Sequence, residues 1–432
     1  MKLFAGSCFL LFFGLSSVSA SAAIPESAPV SLEQAYRATL NLNEDVANQA
    51  ELVQQAELQY SQAKGALFPT VNANASYLRQ QTPPSGTATN ISPSEQETVK
   101  LTATQPLFRG FREWAALKEE KLNTEAAKLN RDEVLRRMYF DLAQSYYQVQ
   151  MAETDYRNLQ VEIDVNQQRL TELKNFERIG RSRASEVLTE QANIASLNAQ
   201  LASAKYTIEN SRAAFSLLTG LSRKSKLKDD TDFPSSIAHL HEYLAKIDRR
   251  PDVLAAQKTV DMAEQSVKIA KGGHLPSLDL TGNYYFLRPD GYLKNVKWDV
   301  QLALTFPIFE GGIVNAQVET AASQLKQADL ALAKARRTAR QEIETLFAQV
   351  KNDLSQIGKQ KTAVDLNQKN YDAERKDYRN GLVTNIEVLT SLTNAQEARR
   401  DLDKAQYQFQ INYIQLLTAT AERPVADTPA KE

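Results

Sequence analysis

Three places in the chain carry Ser-x-x-Lys, the spacing of a serine nucleophile with a lysine beside it: Ser61 with Lys64, Ser225 with Lys228, and Ser323 with Lys326. No Lys-Thr-Gly accompanies them, and three hits in a chain rich in Ser and Lys carry no weight. No Gly-x-x-x-x-Gly-Lys stands ready to cradle a phosphate. Metal ligation would draw on His239, His241 and His274, or on Cys8. His239 and His241 are two apart, which on a helix sends them to different faces. Neither catalysis nor a metal or other cofactor is expected. With 51 basic and 52 acidic residues in 432, and a net charge of -1, no basic surface suggests a nucleic-acid partner.

The first residues have another purpose. Lys2, the short apolar run from Cys8 to Leu15, and the small residues Val18-Ser19-Ala20 match an export signal, 1–20, with cleavage after Ala22 as the alternative. Cys8, the sole cysteine, lies inside this signal, so the mature chain is expected to carry no disulfide, and Cys8 sits too early in the apolar run to be a lipid-modified cysteine. No later run of about 18 apolar residues would cross a bilayer as a helix.

After the signal the chain is written twice. Lys64-Gly65-Ala66-Leu67-Phe68-Pro69 recurs as Lys271-Gly272-Gly273-His274-Leu275-Pro276, and Pro106-Leu107-Phe108-Arg109-Gly110 as Pro307-Ile308-Phe309-Glu310-Gly311. Gly180 with Glu186-Val187-Leu188 recurs as Gly381 with Glu387-Val388-Leu389. Repeat 1 covers 21–220 and repeat 2 covers 239–421, with a surface linker at 221–238 and a flexible tail at 422–432.

Each repeat holds two kinds of element. In strand pairs at about 70–106 and 277–307, apolar residues alternate with polar ones. Leu278, Leu280, Tyr284 and Phe286 alternate with Asp279, Thr281 and Asn283; Trp298, Val300, Leu302 and Leu304 alternate with Asp299, Gln301 and Thr305. Segments of about ten residues with one apolar face are the pattern of transmembrane strands, and also of half-buried hairpins in a soluble sheet. Four of them behind an export signal favour the membrane. Four strands cannot close a barrel, because the smallest barrels have about eight. An open edge in lipid would strand its backbone groups, so several chains must share one barrel. Tyr77, Tyr284, Tyr285, Phe286 and Trp298 either form an interfacial girdle or pack on the barrel's outer face. Gln80–Gln96, with Pro83, Pro84 and Gly86, is expected as an outward loop, and Arg288–Asn295 as its shorter partner.

The rest is helical. Arg112 to Arg178 contains no Pro or Gly, room for a helix of about 100 Å. Val314 to Asn380 matches it, with Gly358 its sole glycine. Shorter helices follow at Ala184–Thr219 and Asn385–Thr420, and others precede the strands at about Ser31–Lys64 and His239–Lys271. Gly180 and Gly381 end the long helices and would supply left-handed turns at tips near 180 and 381.

The ordered set of these features resembles the TolC-like outer membrane efflux proteins over about Ser31 to Ala421. The carriers are the duplicated layout, the strand entries Phe68-Pro69 and Leu275-Pro276, and the strand exits Pro106 to Gly110 and Pro307 to Gly312. The glycine tips and the ending Asn412-Tyr413 to Leu417 add to them. The resemblance implies an α+β membrane protein. Three chains would share a twelve-stranded barrel in the outer membrane, continued by a periplasmic α-helical barrel. It implies an exit duct for efflux or type I secretion, a homotrimer in outer-membrane lipid, which meets a periplasmic adaptor joined to an inner-membrane transporter. Gly180, Arg181, Gly381 and Leu382 would be the adaptor-docking tips. Matched position by position, Tyr378 corresponds to a gate tyrosine, Glu186 to its acidic partner and Glu387 to a ring of acids at the entrance. The chain departs at Val383, where a linking arginine is expected, and at Thr390, where a second acid is expected; Arg181, Arg183 or Arg379 could supply the link instead. Other readings are a periplasmic adaptor, which would carry one helical hairpin between split β domains, and a structural coiled-coil rod. Only the duct should fractionate with the outer membrane. N-terminal sequencing of the mature protein is expected to begin near Ser21; Met1 or a modified Cys8 at the terminus would contradict the export signal.

Overall fold

The computed structural model describes residues 29–81, 95–228 and 234–421. The export signal, the loop around Gly86, the centre of the linker and the tail therefore lie outside the described residues. Among the described residues eight α-helices and four strands follow in order: α1 Leu32–Leu42, α2 Glu44–Gly65, β1 Thr70–Arg79, β2 Glu95–Arg109, α3 Arg112–Arg178, α4 Ala184–Thr219, α5 Leu240–Leu244, α6 Pro251–Gly272, β3 Ser277–Leu287, β4 Trp298–Thr305, α7 Ile313–Arg379 and α8 Asn385–Ala419. α3 and α7 each have 67 residues, about 100 Å of helix. None of the described helices is both long and apolar enough to cross a membrane.

The segments before the strands differ from the expectation of single helices. Asn43 breaks the first: its backbone is extended and its side chain accepts from the Asp45 amide, so α2 starts afresh. Pro251 breaks the second. It holds Arg250 extended and starts α6 at its first position, after the short α5 and a 3₁₀ turn at Ile247–Arg249. His239, expected on a helix, instead precedes α5 in extended conformation, and its ring stacks on His241 with centroids 5.9 Å apart. The linker is less superficial than expected. Val30 and Leu227 form a parallel bridge, and the Tyr146 hydroxyl donates to the carbonyl of Val30 (2.9 Å) and to that of Lys228.

The strands form one antiparallel sheet in sequence order. Its polar face carries a row of side chains across all four strands. The Asn74 amide donates to Thr102 (3.2 Å), the Thr102 hydroxyl to Asn283 (2.9 Å) and the Asn283 amide to Asp299 (2.8 Å). Tyr285 belongs to this face, with the Arg288 guanidinium stacked 4.0 Å from its ring centre, so it leaves the outer girdle. On the other face Tyr284 pairs with Trp298, Leu280 with Leu302 and Leu278 with Leu304. Trp298, Val300, Leu302 and Leu304 are between 61% and 70% exposed, an apolar surface that the described residues do not cover.

The two larger hydrophobic clusters among the described residues lie near the middle of the long helices. Tyr36, Tyr139, Tyr146, Tyr147 and Phe215 make one; Tyr243, Ile343, Val350, Phe409 and Leu416 make the other. Two guanidiniums close the end of α8. Arg136 donates to the Thr418 carbonyl (3.1 Å) and Arg250 to that of Ala419 (2.9 Å), satisfying carbonyls that a helix end leaves unpaired. Arg250 also pairs with Glu342 and Asp252 at 2.8 Å each, which outweighs its burial and keeps it charged.

The sheet meets α3 at Gly110, with φ +66°; a Cβ there would lie 2.4 Å from the Gly272 carbonyl oxygen. Gly358, inside α7, has open space around it. Gly110→Ala should cost at least about 1 kcal/mol from the left-handed conformation alone. Gly358→Ala should gain up to about 1 kcal/mol of helix propensity. Urea unfolding of the two variants should shift in opposite directions; a shift in the same direction would contradict this placement.

Candidate functional site at the helical tips

The long helices end in the same way. After α3, Gly180 (φ +76°) lets the Arg181 amide reach back to the Phe176 carbonyl at 2.8 Å. After α7, Gly381 (φ +77°) lets the Leu382 amide reach the Asp377 carbonyl at 3.0 Å. These six-to-one bonds are the Schellman ending, and both glycines have open space around them, so conformation rather than crowding requires them. Leu382 is 73% exposed at its tip, and an open cleft of about 640 Å³ runs between the turns, lined by Gly180, Arg181, Glu186, Gly381 and Val383.

Tyr378 and Glu186 meet. The phenol donates to Glu186 Oε2 at 3.1 Å, and Ser182 Oγ donates to the same oxygen at 2.7 Å. Burial, helped by the Glu186 charge, pushes the Tyr378 phenol above its ordinary value and keeps it a donor. Glu387 is elsewhere. It caps its own helix, accepting from the Thr384 amide (2.6 Å) and hydroxyl (2.8 Å), and those bonds hold its carboxyl below the usual range. It is exposed and bonds to nothing on the first hairpin among the described residues. Val383 packs with Tyr378 around Tyr371, Val388 and Leu392, and the Thr390 hydroxyl donates to its own helix at Ile386.

Two of the three arginines considered as substitutes for Val383 join the tips. Arg181 donates to the Arg379 carbonyl at 2.9 Å while its guanidinium lies over Phe176, 5.2 Å from the ring centre. Arg379 reaches Glu172 on α3 at 2.9 Å, and Arg375 reaches the same carboxylate at 2.9 Å. Burial would raise Glu172, but the two arginines outweigh it and hold it below the usual carboxylate range. Arg183 lines the cleft.

Sequence reasoning missed the deepest contact. Arg169 on α3 lies 3.2 Å from Glu190 on α4 and donates to the Asn385 carbonyl at 3.0 Å and to its side-chain oxygen. All three residues are buried. Burial pushes Glu190 upward while Arg169 pulls it down, with burial the stronger. The group ties the start of α8 to the first hairpin. A charged residue eleven before a tip glycine is the one signal the sequence offers, and it does not name Asn385 as the partner. Glu172, Arg375 and Arg379 could have been read from charges at helical spacing just before each tip.

The family of outer membrane efflux proteins matches residues 35–221 and 245–422, once in each half of the chain. Outer membrane protein TolC of Escherichia coli is 24% identical over 381 residues, covering 83% of this chain and 76% of TolC. The toluene efflux pump outer membrane protein TtgC of Pseudomonas putida is 23% identical over 390 residues, covering 86% and 78%. Among solved structures, the outer membrane protein VceC of Vibrio cholerae superposes with a TM-score of 0.80 at 17% identity, covering 90% of this chain and 96% of VceC. With the fold shared and both halves matched, the chain belongs to the outer membrane efflux protein family.

Proposed function

We propose that this chain is the outer-membrane exit duct of an efflux or type I secretion system. The observation that carries the reading is a four-stranded sheet with one exposed apolar face and two unpaired edges, set on helices of about 100 Å. Three copies would join β4 of each to β1 of the next and close a twelve-stranded barrel. Their helices would continue as a tube through the periplasm. The duct has no energy source, so an inner-membrane transporter would drive export, joined through a periplasmic adaptor that docks at Gly180, Arg181, Gly381 and Leu382. Repeats 21–220 and 239–421 would be tandem copies of one unit. Catalysis has no part in this reading, since passage through a duct breaks no bond.

A duct open at both ends would leak, so the tips are its gate. Tyr378 with Glu186, Arg181 with the Arg379 carbonyl, and Glu172 with Arg375 and Arg379 tie the second hairpin to the first. Separation of α7 and α8 from α3 and α4 must break them together. These ties make an arginine at Val383 unnecessary. Glu387, exposed near the tip, would stand in threefold copies around the entrance and draw cations toward it. In planar bilayers, Tyr378→Phe combined with Glu186→Ala should raise resting conductance several-fold, and Glu387→Ala should lower cation selectivity. Intact assemblies with conductance and selectivity like the parent's would remove these residues from the gate.

A further inference from the structure

Charge is unevenly spread over the polar face of the sheet. Its middle is neutral, with Asn72, Thr102 and Asn283 in one row and Thr281 beside Gln301 in the next. At the helix end Arg109 meets Asp279 at 2.9 Å, and the two charges cancel. At the loop end three cations face one carboxylate. Lys100 Nζ donates to Asn283 Oδ1 at 3.1 Å and lies 5.7 Å from the centre of the Tyr285 ring. Arg288 stacks on that ring at 4.0 Å, donates to the Val296 carbonyl at 3.0 Å and stands 3.6 Å from Asp299. Lys297 leads into β4. Its carbonyl accepts from the Tyr285 amide at 2.8 Å, so the pairing reaches it, and two residues before Asp299 it shares the Asp299 face. Lys297 is exposed and has no ion pair among the described residues.

The neighbouring charges do not cancel this excess. In the β3–β4 loop Asp290 is paired with Lys294. Arg79, Glu95 and Glu97 alternate with the polar row and stand on the opposite face, with Tyr77. Lys100 and Arg288 are also held in place, one by Asn283 and the other by the Tyr285 ring and the Val296 carbonyl. Three copies in one barrel would repeat the group three times at one level of the lumen. Twelve tilted strands enclose a space roughly 24 Å across between backbones. Side chains on the wall bring their charges within ~8 Å of the axis, one Debye length at physiological salt, so the field spans the passage. The ladder hydrogen bonds fix the spacing of these charges, whether or not the helical tips have parted.

We infer that Lys100, Arg288 and Lys297 form a cationic belt at the outer end of the barrel lumen, which selects for anionic cargo. Small organic polyanions are drawn through it and cations are held back. The inference rests on the reading of this chain as an exit duct whose lumen faces the polar side of the sheet.

Sided block of single channels tests it. Full-length protein is added to one side of a planar bilayer, so that the barrel mouth opens to the other. The probe is inositol hexakisphosphate, a compact polyanion. It should halve the current at a concentration on the order of tenfold lower from the barrel side than from the tip side. Lys100→Gln combined with Lys297→Gln should raise the barrel-side half-blocking concentration about tenfold, and Asp299→Asn should lower it. Shifts of opposite sign separate charge from a change in pore width, and a neutral polyethylene glycol of similar size should block parent and variants alike. Equal block from the two sides, or a double variant that conducts and is blocked as readily as the parent, would overturn the belt. Folded assemblies that never conduct would overturn the duct, and the belt with it.

Discussion

Inside a bilayer a strand has no water to satisfy its N–H and C=O groups, so each edge must find another strand. β1 and β4 are edges of a sheet with one largely apolar face, and nothing else in the described chain covers them. The remaining architecture follows from that constraint. Closure demands other copies; other copies arranged in a ring demand helices that stand side by side beneath the strands. α2, α3, α6 and α7 pack in that order, one beneath each strand.

Order along such a tube is unequal. Near the middle of the long helices, aromatic cores and the Arg136 and Arg250 caps on the α8 carbonyls fasten both halves of the chain together. Below, the helices are polar and carry smaller clusters, until Arg169 and Glu190 bury one ion pair against Asn385. A buried charge pair is a poor source of stability but a strict one: removing either partner leaves the other unpaired. Such a contact suits two hairpins that must meet in one arrangement.

Much of this was legible in the residues. A long span without Pro or Gly gave α3 with the bounds Arg112–Arg178, because no breaker or cap competes within it. Alternation gave the strands, and the glycines at 180 and 381 gave the turns. Tyr285 was legible as well: it stands two residues after Asn283, so alternation alone sets it on the polar face, opposite Lys100, and grouping it with the girdle aromatics overlooked that. What stayed hidden depends on side chains meeting across the fold. Asn43 and Pro251 cut helices whose hydrophobic pattern runs on past them. Glu387, matched to an entrance acid only through the family resemblance, also caps its own helix at the Thr384 amide three residues before it, a contact not read from the sequence. Arg169 and Glu190 could not be paired from spacing, since each lies on a different helix.

The central claim is that one chain supplies only part of a closed barrel. The mass of the detergent-solubilised protein, determined by light scattering with the bound detergent subtracted, tests it most directly. Three copies per particle is the result the account predicts. A monomer that keeps its full strand content in circular dichroism would contradict it, because its edges would then be satisfied without neighbours.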